Sequence, residues 1–265
     1  MAEEDRELLT ASHNGFKYET YACRLLKKHF LVPKSFNPDG GANKKPDIIL
    51  QYKGNKTGCE MKMRENLSGG SLVITYDIDD LTHPWKFSQD ENKKPEAKVI
   101  IDLVEGLELL PYIGVRWKET PRELEIRRKE REITKSGKET TEQREARYRR
   151  DLAKFSNLIG KIPPTAIEDY YISKGSHYIN VGNRGFYRLG DANPFGLENV
   201  PRFADCCTGA FRLRVHKKKA NFTYVYTFVL EFNMPASQKS PYNIAPINGK
   251  DPHIIESKLN IGCFI

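Results

Sequence analysis

The residues whose types and spacing best suit catalysis are Asp47, Glu60 and Lys62. Together they supply two carboxylates and one ammonium group. Such a cluster on a sheet is costly unless an ion or an anionic ligand compensates it. Oxygen ligands suit a hard cation, Mg²⁺ or Mn²⁺, which takes substrate phosphate oxygens as further ligands. The cluster therefore predicts metal-assisted phosphodiester hydrolysis. Asp47, Glu60 and the Met61 carbonyl would hold the ion, and Lys62 would orient or activate the attacking water.

A β-hairpin is predicted to position these side chains. Residues 47–53 and 57–63 are apolar runs typical of short strands. Between them lie Gly54 and Asn55, and a glycine at the first central position suits a two-residue type II′ turn.

The register of this hairpin decides whether the charges share a face. If Lys53 faces Lys56, Asp47 stands opposite Lys62 and diagonal to Glu60, and all three point to one side of the sheet. A one-residue slip would send Asp47 to the other face. The alternative is a solvated hairpin whose Glu60 and Lys62 merely pair across strands.

The motif Pro46-Asp47, twelve intervening residues and Glu60-Met61-Lys62 resembles the signature of the PD-(D/E)XK nuclease superfamily, which has the restriction-endonuclease-like fold. The resemblance covers roughly the first third of the chain. It implies Mg²⁺-dependent DNA cleavage, with Mn²⁺ able to substitute. Enzymes of this kind commonly act as homodimers on double-stranded DNA.

The family pattern also tends to carry an acidic residue on a helix before the first strand. Glu19, in the helical stretch GFKYETYACRLLKKHF of residues 15–30, resembles that residue and is a further catalytic candidate. The alternative is a surface glutamate on an amphipathic helix.

The resemblance and the order of elements predict an α/β protein. Its restriction-endonuclease-like core would be a helix followed by a mixed central sheet, in a nuclease domain at residues 1–117. Residues 71–77 are predicted as the third strand, and residues 98–104 and 111–117 as strands that could extend the same sheet.

A charged helical insertion is predicted at residues 118–160. Residues 118–155 are dense in charges of both signs, with a break at Ser136-Gly137, and indicate two exposed helices. Because glutamates interleave the arginines, an ion-paired face is the favoured interpretation. Phosphate contact and a dimer interface are the alternatives.

The β-rich segment of residues 161–265 is predicted to contact DNA, and it can pack with the core as one domain. A long hairpin, strands 210–215 and 221–231, carries a basic tip suited to a DNA groove or backbone. An earlier stretch mixes donors, aromatic rings and glycines that permit close backbone approach. The candidate DNA contacts are Lys174, Ser176, His177, Tyr178, Asn183, Arg184, Lys217, Lys218 and Lys219.

Composition favours an intracellular protein with a polyanionic partner. The formal net charge is +8. Five cysteines without regular spacing argue against a disulfide framework or a zinc site. No apolar run approaches the length that crosses a bilayer, and the polar N-terminus is unlike a secretory signal, so a cytoplasmic protein without membrane association is expected.

Within the resembled superfamily, a type II-like restriction endonuclease is the favoured function. A single chain with a large region after the motif can supply its own target recognition. The alternatives are a structure-specific or replication-linked phage or viral nuclease of the junction-resolvase type, and a non-catalytic nucleic-acid-binding module on the same fold. RNA remains a possible substrate class.

Overall fold

The computed structural model describes residues 3–28, 31–38, 45–63, 68–89, 92–93, 95–155, 159–182, 184–218 and 221–242. Within these residues the protein is a mixed α/β structure with two sheets and seven helices. The helices are α1 (Glu3–Lys28), α2 (Pro95–Gly106), α3 (Leu109–Arg116), α4 (Pro121–Lys135), α5 (Thr141–Phe155), α6 (Pro164–Ser173) and α7 (Phe203–Cys206). The strands are β1 (Ile48–Tyr52), β2 (Asn55–Lys62), β3 (Ser68–Tyr76), β4 (Trp85–Phe87), β5 (Ile159–Ile162), β6 (Ser176–Val181), β7 (Gly185–Arg188), β8 (Thr208–Lys217) and β9 (Tyr224–Asn233). No helix among the described residues combines the length and the apolar character needed to cross a membrane.

The chain forms two compact units, each built from separated stretches of sequence. The first takes its described residues from 1–69, 161–210 and 231–265, and the second from 70–160 and 211–230. The functional division of the chain at residues 117 and 160 stays a prediction.

The first unit contains a four-stranded sheet of order β1-β2-β6-β7. β1 and β2 form the antiparallel hairpin that the sequence predicts, and β6 and β7 form a second antiparallel pair. β2 and β6 are joined side by side as parallel strands, with an irregularity between Gly58 and Cys59. The sheet is therefore mixed, and its two central strands come from distant parts of the sequence.

The turn of the first hairpin differs from the predicted one by one residue. Tyr52 pairs with Asn55, so the central residues are Lys53 and Gly54, with φ of 46° and 83°. Two positive φ values are typical of a type I′ turn rather than type II′. The predicted register is wrong by two residues, and because side chains alternate with a period of two, the predicted face is unchanged.

Helix α1 packs its apolar residues on one side of this sheet. Tyr18, Ala22 and Leu26 are buried in a cluster that also contains Cys59 and Met61 of β2. These two strand residues alternate with Glu60 and Lys62, so the charged side chains point to the opposite side. Because the apolar face of β2 is buried against α1, the charged side chains must lie on the other face of the sheet.

The second unit contains most of a five-stranded sheet of order β4-β3-β9-β8-β5. Residues 71–77 do form a strand, β3, but it belongs to this second sheet and not to the sheet of the hairpin. Its place as third strand beside β2 is taken by β6. The basic-tipped hairpin predicted at 210–231 is present as the neighbouring strands β8 and β9.

Two predicted strands are helices. Residues 98–104 lie in α2, where Ala97, Ile100 and Val104 are buried at spacings of three and four, and residues 111–117 largely form α3. A short apolar run has the same composition in a buried strand and in a buried helix, so periodicity alone does not separate them.

The two charged helices predicted within 118–155 are α4 and α5, and Gly137 (φ 70°) lies in the break between them. Thr120 and Glu123 form a reciprocal capping box at the start of α4. Between the helices, Arg127 donates to Asp151 at 2.9 Å, and both residues are buried. Ion pairing therefore accounts for a large part of this charge, as the interleaved glutamates indicate.

Candidate active site

Asp47, Glu60 and Lys62 meet on the face of the sheet opposite the α1 cluster. The Lys62 ammonium lies 3.2 Å from Oε2 of Glu60 and 3.5 Å from Oδ2 of Asp47. Glu60 is fully buried, and the side chains of Asp47 and Lys62 are 13% and 16% exposed. The two carboxylates thus share one cation in a site with little access to solvent.

Asp47, which directly precedes β1, is held in place by the backbone of β2. Its Oδ2 accepts a hydrogen bond from the Met61 N–H at 2.9 Å. The preceding residue, Pro46, packs against Gly58 of β2, where a β-carbon would lie 2.2 Å from the proline Cγ and 2.4 Å from the Gly175 carbonyl oxygen. The glycine at position 58 therefore lets Pro46 and the backbone of Gly175 approach β2 closely.

Two residues at the end of α6 and the start of β6 complete the surroundings of Glu60. The Lys174 ammonium lies 2.7 Å from Oε1 of Glu60, and the Lys174 side chain is 10% exposed. The buried hydroxyl of Ser176 donates to the same oxygen at 3.3 Å. Both were predicted as DNA contacts, and the structure places both beside the central carboxylate.

Tyr171 of α6 belongs to the site although the sequence did not suggest it. Its ring centroid lies 5.2 Å from the Lys62 ammonium, and its fully buried hydroxyl has no hydrogen-bond partner among the described residues. Residues 170–173 read as part of a β-rich segment in sequence, yet they form the last turns of a helix. No local signal shows that this helix packs over the hairpin.

Glu19 of α1 is a third acidic residue near the cluster, after Asp47 and Glu60. Burial, followed by the negative charge of Asp47, raises the pKa of Glu19 to about 7, against the opposing effect of Lys62. The structure therefore brings the predicted helix residue into the electrostatic field of the hairpin carboxylates.

The carboxyl groups of Asp47 and Glu60 are perturbed in opposite directions. Burial raises the pKa of Glu60 above its ordinary value. Burial alone would raise the pKa of Asp47 as well, but Lys62, Lys174 and the Met61 N–H lower it below its ordinary range. A side-chain interaction with Glu60 lowers the pKa of Asp47 further.

Lys62 remains an ammonium group in this setting. Burial opposes its charge, but the neighbouring Tyr171, Asp47 and Glu60 outweigh burial and raise the pKa of Lys62 well above its ordinary value. A lysine in this state donates hydrogen bonds and positive charge; it does not accept a proton.

The donor set fits a hard divalent cation. Asp47 and Glu60 supply carboxylate oxygens that already converge on one shared cation, the Lys62 ammonium, and the Met61 carbonyl lies on the strand between Glu60 and Lys62. Among the described residues, no group of three or more His, Cys, Asp or Glu side chains is close enough to hold a metal by itself. The set thus suits an ion that keeps waters and completes its shell with phosphate oxygens.

Three of the predicted DNA contacts are buried or half-buried. Tyr178 is 1% exposed, and its hydroxyl donates to Asn193 at 2.6 Å, so it is a packing residue of the first unit. His177 is half-buried, with Nδ1 at 2.8 Å from the Thr57 hydroxyl. Arg184 is half-buried between β6 and β7.

The basic tip between β8 and β9 is described in part. Lys217 places its ammonium 4.4 Å from the ring centroid of Phe222, and Lys218 is exposed. Asn183 and Lys219, the remaining two candidates, lie outside the described residues. Contact of Lys217 and Lys218 with DNA stays a prediction.

No protein-family model matches the chain, and no curated protein matches it in sequence. Among solved structures, the chain is similar to HhaI endonuclease in complex with DNA. That similarity has a TM-score of 0.47 and 11% sequence identity, and it covers 91% of this chain and 97% of the other.

Proposed function

We propose that this chain is a Mg²⁺-dependent endonuclease that hydrolyses DNA phosphodiester bonds. The observation that carries the proposal is the convergence of Asp47, Glu60 and Lys62 in one poorly exposed site. Nothing in packing alone calls for two carboxylates and an ammonium here, because such a cluster costs free energy that apolar residues would not. Sites of this kind persist where the charges act on a ligand.

The residues would divide the work as follows. Asp47, Glu60 and the Met61 carbonyl would hold the divalent ion, which when bound supplies positive charge to the phosphate and makes a water more acidic. Lys62 would donate to the water and to the phosphate oxygens, and would stabilise the charge that develops as the leaving oxygen departs. Mn²⁺, which accepts the same oxygen ligands, would substitute for Mg²⁺.

Glu19 would act from the edge of the site. With a pKa of about 7, its carboxyl changes charge near neutral pH and adds negative potential next to Asp47 when deprotonated. We assign it to tuning of the cation site, in keeping with the acidic helix residue of the resembled superfamily.

The favoured subtype is a sequence-specific, type II-like restriction endonuclease that acts on double-stranded DNA as a homodimer. The net charge of +8 and the basic tip with Lys217 and Lys218 support a polyanionic partner. The half-exposed or exposed candidates His177, Arg184 and Lys218 would be tested as DNA contacts.

The function is tested with a panel of substrates and one isosteric variant. Wild-type protein would be incubated with plain duplex DNA, branched DNA, single-stranded DNA and RNA, in the presence of Mg²⁺, Mn²⁺ or EDTA. Discrete fragments from plain duplex, absent in EDTA, are expected. Preferential cutting of branched DNA would instead identify a junction-resolvase type of enzyme.

Asp47→Asn is the matched variant, since it keeps the volume and removes the charge. It should lose at least about 100-fold in cleavage rate while retaining DNA binding. Equal cleavage by Asp47→Asn would refute the assigned site. Binding without turnover of any substrate in either metal would leave a nucleic-acid-binding module in place of an enzyme.

A further inference from the structure

Glu60 is engaged by two lysines at once. Lys62 approaches Oε2 at 3.2 Å, and Lys174 approaches Oε1 at 2.7 Å, the shorter of the two contacts. Ser176 donates to Oε1 as well. Both oxygens of the buried carboxylate therefore have cationic or hydrogen-bonding partners within the protein itself.

The two lysines differ in what else they touch. Lys62 also pairs with Asp47, so it stays bound to the site through a second carboxylate. Lys174 follows the last turn of α6 and stands 5.7 and 5.8 Å from the ring centroids of Tyr171 and Tyr170. The aromatic faces favour a cation at this place, but they are weaker partners than a carboxylate.

A divalent ion and the Lys174 ammonium compete for the same lone pairs. An ion held by Glu60 and Asp47 needs a carboxylate oxygen that is not already committed to an ammonium, and like charges repel strongly where solvent is largely excluded. An ion that binds Oε1 of Glu60 would therefore weaken or break the contact between Lys174 and Glu60.

We propose that Lys174 is a placeholder cation, which neutralises and orients Glu60 in the metal-free protein and is displaced from Oε1 when the divalent ion binds. This inference rests on the proposed metal site. It makes Lys174 a positioning residue that acts through Glu60 and sets how tightly the ion is held before DNA is present.

The test measures Mn²⁺ binding to DNA-free protein by electron paramagnetic resonance, so it does not depend on cleavage. Lys174→Met keeps an unbranched chain and removes the charge, and it should bind Mn²⁺ at least about tenfold more tightly than wild type. Lys174→Arg keeps the charge and should stay near the wild-type affinity. Lys174→Gln provides a second neutral variant in case the methionine variant does not fold, and the same tightening is expected.

Lys154→Met is the matched control. Lys154 is 19% exposed and lies 2.7 Å from Oε1 of Glu123, so it is a similarly buried, similarly paired lysine in the second unit. Its replacement should leave Mn²⁺ affinity unchanged.

The outcomes separate this inference from the proposed function. If wild type binds Mn²⁺, Asp47→Asn abolishes binding and neither neutral variant at position 174 binds more tightly, the placeholder role is overturned and the metal site stands. If no variant binds Mn²⁺ and no substrate is cut, both the inference and the proposed function are overturned. Tighter binding by the neutral variants, with Lys174→Arg and Lys154→Met unchanged, supports the placeholder role.

Discussion

Replacement of Gly58 by alanine should displace the backbone segments that position the site residues. Gly58 is the point where two segments meet β2: Pro46, which precedes Asp47, and Gly175, which lies between Lys174 and Ser176. A β-carbon would lie 2.2 Å from Cγ of Pro46 and 2.4 Å from the Gly175 carbonyl oxygen. One obstacle is a rigid ring and the other is backbone, so neither can move aside by a change of rotamer.

The magnitude follows from the overlap. Ordinary contact begins near 3.4 Å, so relief needs a shift of about 1 Å at each of the two contacts, and overpacking of this kind costs about 3 kcal/mol of unfolding free energy. A displacement of about 1 Å at a catalytic group can lower the rate by about 100-fold. Because Asp47 follows Pro46 directly, Gly58→Ala should reduce both stability and cleavage.

Chemical denaturation and single-turnover cleavage would measure the two effects. Gly15→Ala is the control, because a β-carbon at this helical glycine meets nothing within 4 Å and should stabilise α1 by up to about 1 kcal/mol. Wild-type stability and wild-type cleavage in Gly58→Ala would refute the close approach of these segments to β2.

Two further predictions concern buried charge. The pKa of Glu19 is about 7 in the folded protein and 4.5 ordinarily, so folding takes up a proton between these values, and the stability due to the protonated form is present below pH 4.5 and lost as pH rises through about 7. Glu19→Gln should therefore raise the unfolding free energy at pH 8 in EDTA by about 1–2 kcal/mol, after allowance for partial exposure. It should also flatten the dependence of the unfolding free energy on pH between pH 5 and 8. The same pH dependence in the variant and in wild type would contradict the raised pKa of Glu19. Asp151→Asn should destabilise the protein by about 3 kcal/mol in urea denaturation, because it removes one of the two buried carboxylates, Asp151 and Glu119, that pair with the buried Arg127. Glu145→Gln, which removes an exposed pair with Arg149, should change stability by less than about 0.5 kcal/mol, and equal effects of the two variants would contradict this account.

The hairpin and its charged face were predictable because both depend on local patterns. Two β-rich runs around a glycine predict a tight turn, and the period of two places alternate residues on one face. The turn was placed one residue late, since Lys53 takes a positive φ that glycine or asparagine more often adopts. That error moved the register by two residues, which preserves the face, so Asp47 and Glu60 still converge.

The strand β6 was not predictable as the neighbour of β2. Parallel pairing joins residues more than a hundred positions apart, such as Glu60 with Ile179, and no local signal specifies the partner. For the same reason Lys174 and Ser176 were recognised as polar residues of interest but assigned to DNA and not to Glu60. The sequence does not indicate Tyr171, because its place in the site depends on where α6 packs.

The segment at residues 98–104 shows the limit of composition as a guide. Its apolar run is compatible with a buried strand and with a buried helix. The burial of Ile100 and Val104 on one side of α2 depends on tertiary packing, which composition does not specify. By contrast, the capping box at Thr120 and the break at Gly137 are local signals. Helix α4, which lies between them, agrees with the prediction.

The central claim is that the cluster of Asp47, Glu60 and Lys62 cuts DNA with a divalent cation, and single-turnover cleavage of duplex DNA by Lys62→Met tests it most directly. In saturating Mg²⁺ the rate should fall by about 100- to 1,000-fold relative to wild type, with DNA affinity changed little. Lys56→Met, at an exposed position on the same strand, should cleave at the wild-type rate. Cleavage by Lys62→Met that is as fast as that of Lys56→Met would contradict the claim.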